Sequence, residues 1–155
     1  KPCTCAHAVV TKYQKRISGP LLDRIDIHIE VPRVDYEKLS GDRMGETSES
    51  IRARVQAARN IQQSRFTNSQ FTNHQSTDII CNADMRLGEI RRFCRLQDEG
   101  QRLMRAAMTQ LNLSARAYHR ILKLARTIAD LAGSEEIQSA HLAEALQYRP
   151  KLMMG

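Results

Sequence analysis

The chain has 155 residues, 24 of them basic and 17 acidic, for a formal net charge of +7. That length supports one core, or a small core with an added segment, and excludes two independent enzymatic domains. With 41% hydrophobic residues and no apolar run near the roughly 20 residues of a membrane span, a globular protein without a membrane partner is expected. The chain opens at Lys1 with no apolar signal region after it, so it reads as an excised or processed piece of a cytoplasmic protein.

The placement of charge says more than its sum. Residues 1–50 carry eight groups of each sign, whereas residues 51–155 carry sixteen basic against nine acidic. Arginine outnumbers lysine 18 to 6, and its planar, permanently charged fork suits phosphates and buried carboxylates. An anionic partner, nucleotide or nucleic acid, is expected; the competing reading of any one arginine is a solvated helix face with paired charges. Four cysteines stand at 3, 5, 81 and 94. Cys81 and Cys94 lie among apolar residues and read as buried structural thiols. Cys3 and Cys5, beside His7, form a C-x-C pair with the chemistry to share a zinc ion, although the fourth ligand is unspecified.

In chain order, Gly19-Pro20 predicts a short helical turn through Leu21, Leu22, Asp23 and Arg24. Ile25, Ile27, Ile29 and Val31 then alternate with Asp26, His28 and Glu30, a period of two that predicts one β-strand ended by Pro32. A lone strand leaves its edges open, so it must pair outside this chain or in a small local sheet. Residues 33–47 read as a loop with one helical turn near Val34–Leu39. From Thr47 or Ser48 a helix follows, with Ile51, Val55, Ala58 and Ile61 on its inner stripe.

Residues 67–78 are polar and without period, a mobile linker within a loop of 67–80. Asn82 is expected to cap a second helix with Leu87, Ile90 and Phe93 or Cys94 facing inward. Asp98 with Gln101 starts a third, carrying Leu103, Met104, Ala107, Met108 and Leu111. Ser114 caps a fourth, with Ala117, Ile121, Leu124, Ile128 and Leu131 inside and Gly133 as its left-handed stop. A last helix runs from Ser139 through Leu142 and Leu146 to Pro150. The fold class is mainly α: four or five helices behind a one-strand remnant of an α/β core.

Two runs carry chemistry. I-S-G-P-L-L-D-R-I-D-I-H-I-E-V-P at 17–32 sets Arg24 just before the strand, and L-N-L-S-A-R-A-Y-H-R-I-L-K-L-A-R-T-I-A-D-L at 111–131 sets Arg116 two residues after the cap Ser114. An arginine in a first helical turn opposes the helix dipole, which implies a nearby anion. With the cysteine pair, C-N-A-D-M at 81–85 and H-L-A-E-A-L-Q-Y-R-P at 141–150, these runs resemble the C-terminal part of the magnesium-chelatase-like AAA+ ATPases, in their ComM (YifB) branch, a competence-associated group.

The resemblance implies a hexameric ring ATPase. Residues 1–32 would end its α/β core, 33–46 would be a linker and 47–152 the helical lid. It implies ATP with Mg²⁺ as cofactors of the full-length protein, neighbouring subunits as partners, and branch migration or other remodelling of DNA as its work. Arg24 matches the arginine finger that reaches into a neighbour's site, and Arg116 the sensor-2 arginine that contacts the γ-phosphate. Cys3 and Cys5 match half of a four-thiol cluster.

The 155 residues contain no G-x-x-x-x-G-K-[ST], so no phosphate cradle, phosphate lysine or Mg²⁺ hydroxyl is present, and neither ATP hydrolysis nor a bound cofactor is expected of this piece alone. Arg91, Arg92, Arg95, Arg102 and Arg105 are the expected contacts to DNA phosphates, unless they pair with Asp98, Glu99 or neighbouring subunits. With 5% aromatic residues, base stacking is not the expected mode. Two other functions remain open: the ATPase subunit of a magnesium chelatase, and a stand-alone helical DNA-binding module.

Overall fold

A computed structural model describes residues 4–14, 16, 21, 24–34, 36, 40, 45–67 and 79–149. The regular elements among them are helical, in the order α1 (His7–Gln14), α2 (Ser48–Thr67), a 3₁₀ turn (Asn82–Asp84), α3 (Leu87–Phe93), α4 (Asp98–Gln110), α5 (Ala115–Leu131) and α6 (Ser139–Gln147). One parallel bridge, Leu96 to Ile137, ties the approach to α4 to the approach to α6. The mainly α class expected from the sequence is what forms, a helical lid.

The bundle is organised around α5, which packs against α6, α2, α3 and the 3₁₀ turn, while α6 also meets α4. Its sequence dictates this. Ala117, Ile121, Leu122, Ala125, Ile128 and Ala129 recur at helical spacing and all are buried, each large aliphatic contributing about 1.5–3 kcal/mol by leaving water. Ala125 and Ala129 on α5, and Ala145 on α6, are wholly buried, so the small side chains let the two helices approach closely. Ile137 and Leu142 fill the space between.

The ends of α5 follow from local chemistry. Ser114 Oγ accepts the Ala117 N–H at 3.1 Å, meeting one donor that has no partner within the helix. At the other end Gly133 sits at φ 66°, Ser134 N–H donates to Ala129 C=O at 2.8 Å, and Gly133 N–H to Asp130 C=O at 3.1 Å. That pair of bonds is a Schellman stop.

Several expectations are corrected. Residues 25–31 take up no regular secondary structure, and among the described residues no strand pairs with them. The alternation is real and unanswered: Ile25, Ile27, Ile29 and Val31 are all exposed, because a period of two places side chains while only a neighbouring ladder makes a strand. Asn82 does not cap α3. It sits in the 3₁₀ turn, and the N–H of Arg86, the residue before α3, donates to the Glu89 carboxylate at 2.8 Å.

Likewise Asp98 is the first residue of α4, after Gln97, and Gln101 donates its side-chain amide to Leu96 C=O at 3.1 Å. On α2 the expected inner stripe is mostly outside: Ile51, Val55 and Ile61 are each about 40% exposed, and only Ala58 and Gln62 are buried. The sequence reading placed no helix at α1. The predicted turns at 20–24 and 34–39, the tract 68–78 and the stop at Pro150 fall wholly or largely outside the described residues.

Candidate functional site

A buried polar cluster fixes the geometry around α5. Asp130, on its last turn and 2% exposed, accepts from Arg126 Nε at 3.0 Å, Arg65 Nη1 at 2.9 Å and Asn82 Nδ2 at 2.7 Å, with a further bond from Arg65 Nη2. Asn82 also donates to Thr127 Oγ1 at 3.1 Å, and its own N–H is accepted by Gln62 Oε1 at 3.2 Å. Arg126 spends its remaining donors on the carbonyls of Ser134 and Glu135. Burial lowers the pKa of Arg126, and the Asp130 carboxylate opposes that shift. The polar atoms are satisfied, so the cluster is a structural clamp that joins α2, the 3₁₀ turn and α5.

Cys94 is buried, and burial pushes its thiol up to about 12, consistent with the structural role expected of it. Cys81 is half-buried, with Sγ donating to Asp84 Oδ2 at 3.3 Å. The Ile80 and Cys81 N–H groups also donate to that carboxylate, each at 3.1 Å. These bonds, the Cys81 thiol first, hold Asp84 below the usual carboxylate range.

The two arginines singled out in the sequence are both exposed. Arg24 is anchored through its backbone: its N–H donates to Leu21 C=O at 3.0 Å, and its carbonyl accepts from Arg120 Nη1. Arg116 is the second residue of α5, whose first turn has no acidic side chain. Neither guanidinium has a hydrogen-bond or ion-pair partner among the described residues. Both charges are available to an anion, and the one on α5 has no local carboxylate to offset the helix dipole.

Residues 24–28 are strapped across the lid. Arg120 Nη1 bonds Asp26 Oδ1 at 2.7 Å as well as the Arg24 carbonyl. Arg149 Nη1 donates to Ile25 C=O at 3.2 Å. The His28 N–H reaches Tyr148 C=O at 2.8 Å. Beneath the strap lies a cleft of about 220 Å³ with Asp26, Arg120, Lys123 and Thr127 in its wall. Sequence reasoning missed Arg120 and Arg149 as elements of the site. The signal for Arg120 was present, since it follows Arg116 by one helical turn and so shares its face of α5.

Four of the five arginines proposed for DNA fall in two places. Arg91, Arg95 and Arg105 line a groove of about 830 Å³ between α3, α4 and α5, whose floor includes Ile90, Cys94, Met104 and Leu122 and whose described lining has no carboxylate. Arg92 and Arg95 border a second cleft, of about 890 Å³, together with Arg65, Arg126, Glu135 and Glu136. Arg102 lines neither. Among the described residues no ion pair joins Arg91, Arg95, Arg102 or Arg105 to Asp98 or Glu99. Cys5 is exposed and Cys3 lies outside the described residues; among the latter no group of three or more His, Cys, Asp or Glu is placed to hold a metal ion.

Comparison with known proteins agrees with this architecture. The family described as magnesium chelatase, subunit ChlI C-terminal, matches residues 45–149, and magnesium chelatase, subunit ChlI, matches residues 1–39. Competence protein ComM of Haemophilus influenzae is 44% identical over 142 residues, 90% of this chain and 25% of the relative. The uncharacterized protein YifB of Escherichia coli is 38% identical over 146 residues, 94% of this chain and 26% of the relative. The chain thus spans about a quarter of the length of these relatives. No helix among the described residues is long and apolar enough to cross a membrane. With a family match over most of its length and relatives this similar across nearly all of it, the chain belongs to the magnesium-chelatase-like family, in its ComM branch.

Proposed function

We propose that this chain is the lid-bearing part of a cytoplasmic, hexameric AAA+ ATPase that couples ATP binding and hydrolysis to DNA remodelling or branch migration. In that reading residues 1–32 close the ATPase core, 33–46 link it to the lid, and 47–152 form the lid. The observation that carries it is the pair of exposed guanidiniums, Arg24 and Arg116, without partners among the described residues yet held to one helix.

Arg24 reaches a neighbouring subunit's ATP and stabilises charge gathering on the transferring γ-phosphoryl group, an effect of about 10³–10⁵ in rate in other nucleotide hydrolases. Arg116 holds the γ-phosphate at the start of α5, so that nucleotide state is felt by the helix at the centre of the lid. A Mg²⁺ ion bound with the nucleotide would supply further charge neutralisation, and no residue of this chain is assigned to hold it. The test is ATP turnover by the intact gene product: Arg24→Ala and Arg116→Ala should each cut it severely, and wild-type turnover in both variants sinks the assignment.

For DNA, Arg91, Arg95 and Arg105 around one groove whose described lining has no carboxylate, with Arg92 and Arg102 nearby on α3 and α4, favour sequence-independent contact with phosphates. The same groove favours the second reading, a helical module that binds DNA on its own. The matched family's description, a magnesium chelatase subunit, favours a third, insertion of Mg²⁺ into a porphyrin together with partner subunits. Forked or four-way DNA that stimulates ATP turnover supports the motor, whereas porphyrin metallation without DNA stimulation supports the chelatase.

A further inference from the structure

The geometry points to Arg120 as a positioning residue for Arg24, an inference that rests on the reading of Arg24 as the residue that meets a neighbour's nucleotide. Arg24 sits in a turn, its N–H donating to Leu21 C=O at 3.0 Å, and leads into residues 25–34, which no strand among the described residues supports. Its direction therefore depends on whatever grips its own peptide groups. Arg120 Nη1 is bonded both to the Arg24 carbonyl and to Asp26 Oδ1, the latter at 2.7 Å. The next two anchors, Arg149 on Ile25 C=O and Tyr148 C=O on the His28 N–H, come from the far end of the lid and hold the residues beyond.

Beside the Leu21 C=O that accepts the Arg24 N–H, Arg120 is the anchor from the lid that bonds the Arg24 carbonyl. It also stands one turn after Arg116 on the same face of α5. A rotation of that helix caused by a nucleotide at Arg116 would pull on the backbone of Arg24 through a single side chain. Arg120 itself touches neither the phosphates nor any reacting atom in this scheme. It acts on the angle at which Arg24 leaves the lid, and an offset near 1 Å at a catalytic group costs on the order of 100-fold in rate.

The bond is partly in water: the side chains of Arg120 and Asp26 are 30% and 49% exposed. An exposed pair of this kind contributes little to stability. Loss of Arg120 should therefore leave the thermal midpoint nearly unmoved while turnover falls.

The experiment uses the intact gene product and compares Arg24→Ala, Arg120→Ala, the double variant and Arg120→Lys. The expected result for Arg120→Ala is a fall in kcat of roughly 10- to 100-fold with KM for ATP within about twofold of wild type, because only the transition-state contact is misaimed. The double variant should be no slower than Arg24→Ala alone, since there is then no side chain to position. Arg120→Lys, which keeps a donor within reach of Asp26, should recover part of the loss.

If Arg120→Ala turns over at the wild-type rate, or slows the Arg24→Ala background by its full factor, or lowers the thermal midpoint in step with kcat, the positioning role is wrong while the finger reading survives. If Arg24→Ala itself keeps wild-type turnover, both fall together.

Discussion

Asp130 lies one helical turn beyond Arg126 on α5 and accepts its Nε proton at 3.0 Å, while Arg65 reaches the same carboxylate from α2. One buried carboxylate thus holds two guanidiniums. Removing it leaves the buried Arg126 and the largely buried Arg65 without their carboxylate, and breaking a buried pair in this way costs about 3–5 kcal/mol. Asp130→Ala should lose at least that much in urea unfolding at neutral pH. A loss below about 1 kcal/mol would mean that the clamp does not hold the bundle together.

The two glycines Gly88 and Gly133 should respond in opposite senses to alanine. Gly133 sits at φ 66° with open space where a Cβ would go, so the whole penalty is backbone strain, about 1–2 kcal/mol. Gly88 is inside α3 with nothing near its missing Cβ. There alanine should stabilise by about 0.5–1 kcal/mol through helix propensity and a less flexible unfolded chain. Paired thermal melts check the sign of each.

Thiol chemistry should separate Cys5 from Cys94. Burial raises Cys94 to about 12, above the ordinary value near 8.5, so folding favours its neutral form. The stabilisation linked to that thiol is complete below about pH 8.5 and fades as pH rises from there toward 12. At pH 8 in native buffer iodoacetamide should modify the exposed Cys5, with Cys94 reacting only once the chain is unfolded, as peptide mass mapping will show.

Asp84 gives the mirror case in acid. Its folded pKa is lowered, chiefly by the Cys81 thiol, so its contribution is present above about pH 4, the ordinary carboxylate value, and is lost as pH falls through the lowered one. Cys81→Ala should move the Asp84 midpoint upward in a carbon-detected NMR titration. An unchanged midpoint would refute the thiol as its main partner.

If the groove of Arg91, Arg95 and Arg105 meets DNA phosphates, each alanine substitution should reduce the slope of log affinity against log salt by about one, without changing sequence preference. Filter binding at several salt concentrations reads this directly. A slope that none of the three alters removes the groove from the DNA surface.

What the amino-acid sequence disclosed depended on whether a feature was periodic. The buried face of α5, its Ser114 cap and its Gly133 stop were all legible, because helix spacing and cap chemistry are local. The α2 stripe misled: Ile51 and Val55 repeat as a core face would, but periodicity names a face without naming what covers it, and both are exposed. The alternation at 25–31 misled for the same reason. The Asp130 clamp was illegible, since its members, Gln62, Arg65, Asn82, Arg126 and Asp130, are joined across up to 65 positions with no repeat to betray them. At the candidate site, Arg24 and Arg116 stood out by motif, whereas Arg120 needed a hydrogen bond to the peptide of a residue 96 positions away.

Gln62 and Arg65 both reach Asn82 with hydrogen bonds of 3.2 and 3.0 Å, so the positions flanking the stretch between Thr67 and Ile79 are pinned by side chains that do not belong to it. Closing a longer stretch between pinned ends grows only logarithmically harder, by about 0.6 kcal/mol for each doubling. An insertion between Thr67 and Ile79 should therefore leave the bonds of Gln62 and Arg65 to Asn82 in place, and an engineer seeking a place for a fluorescent reporter or an affinity tag should test it there.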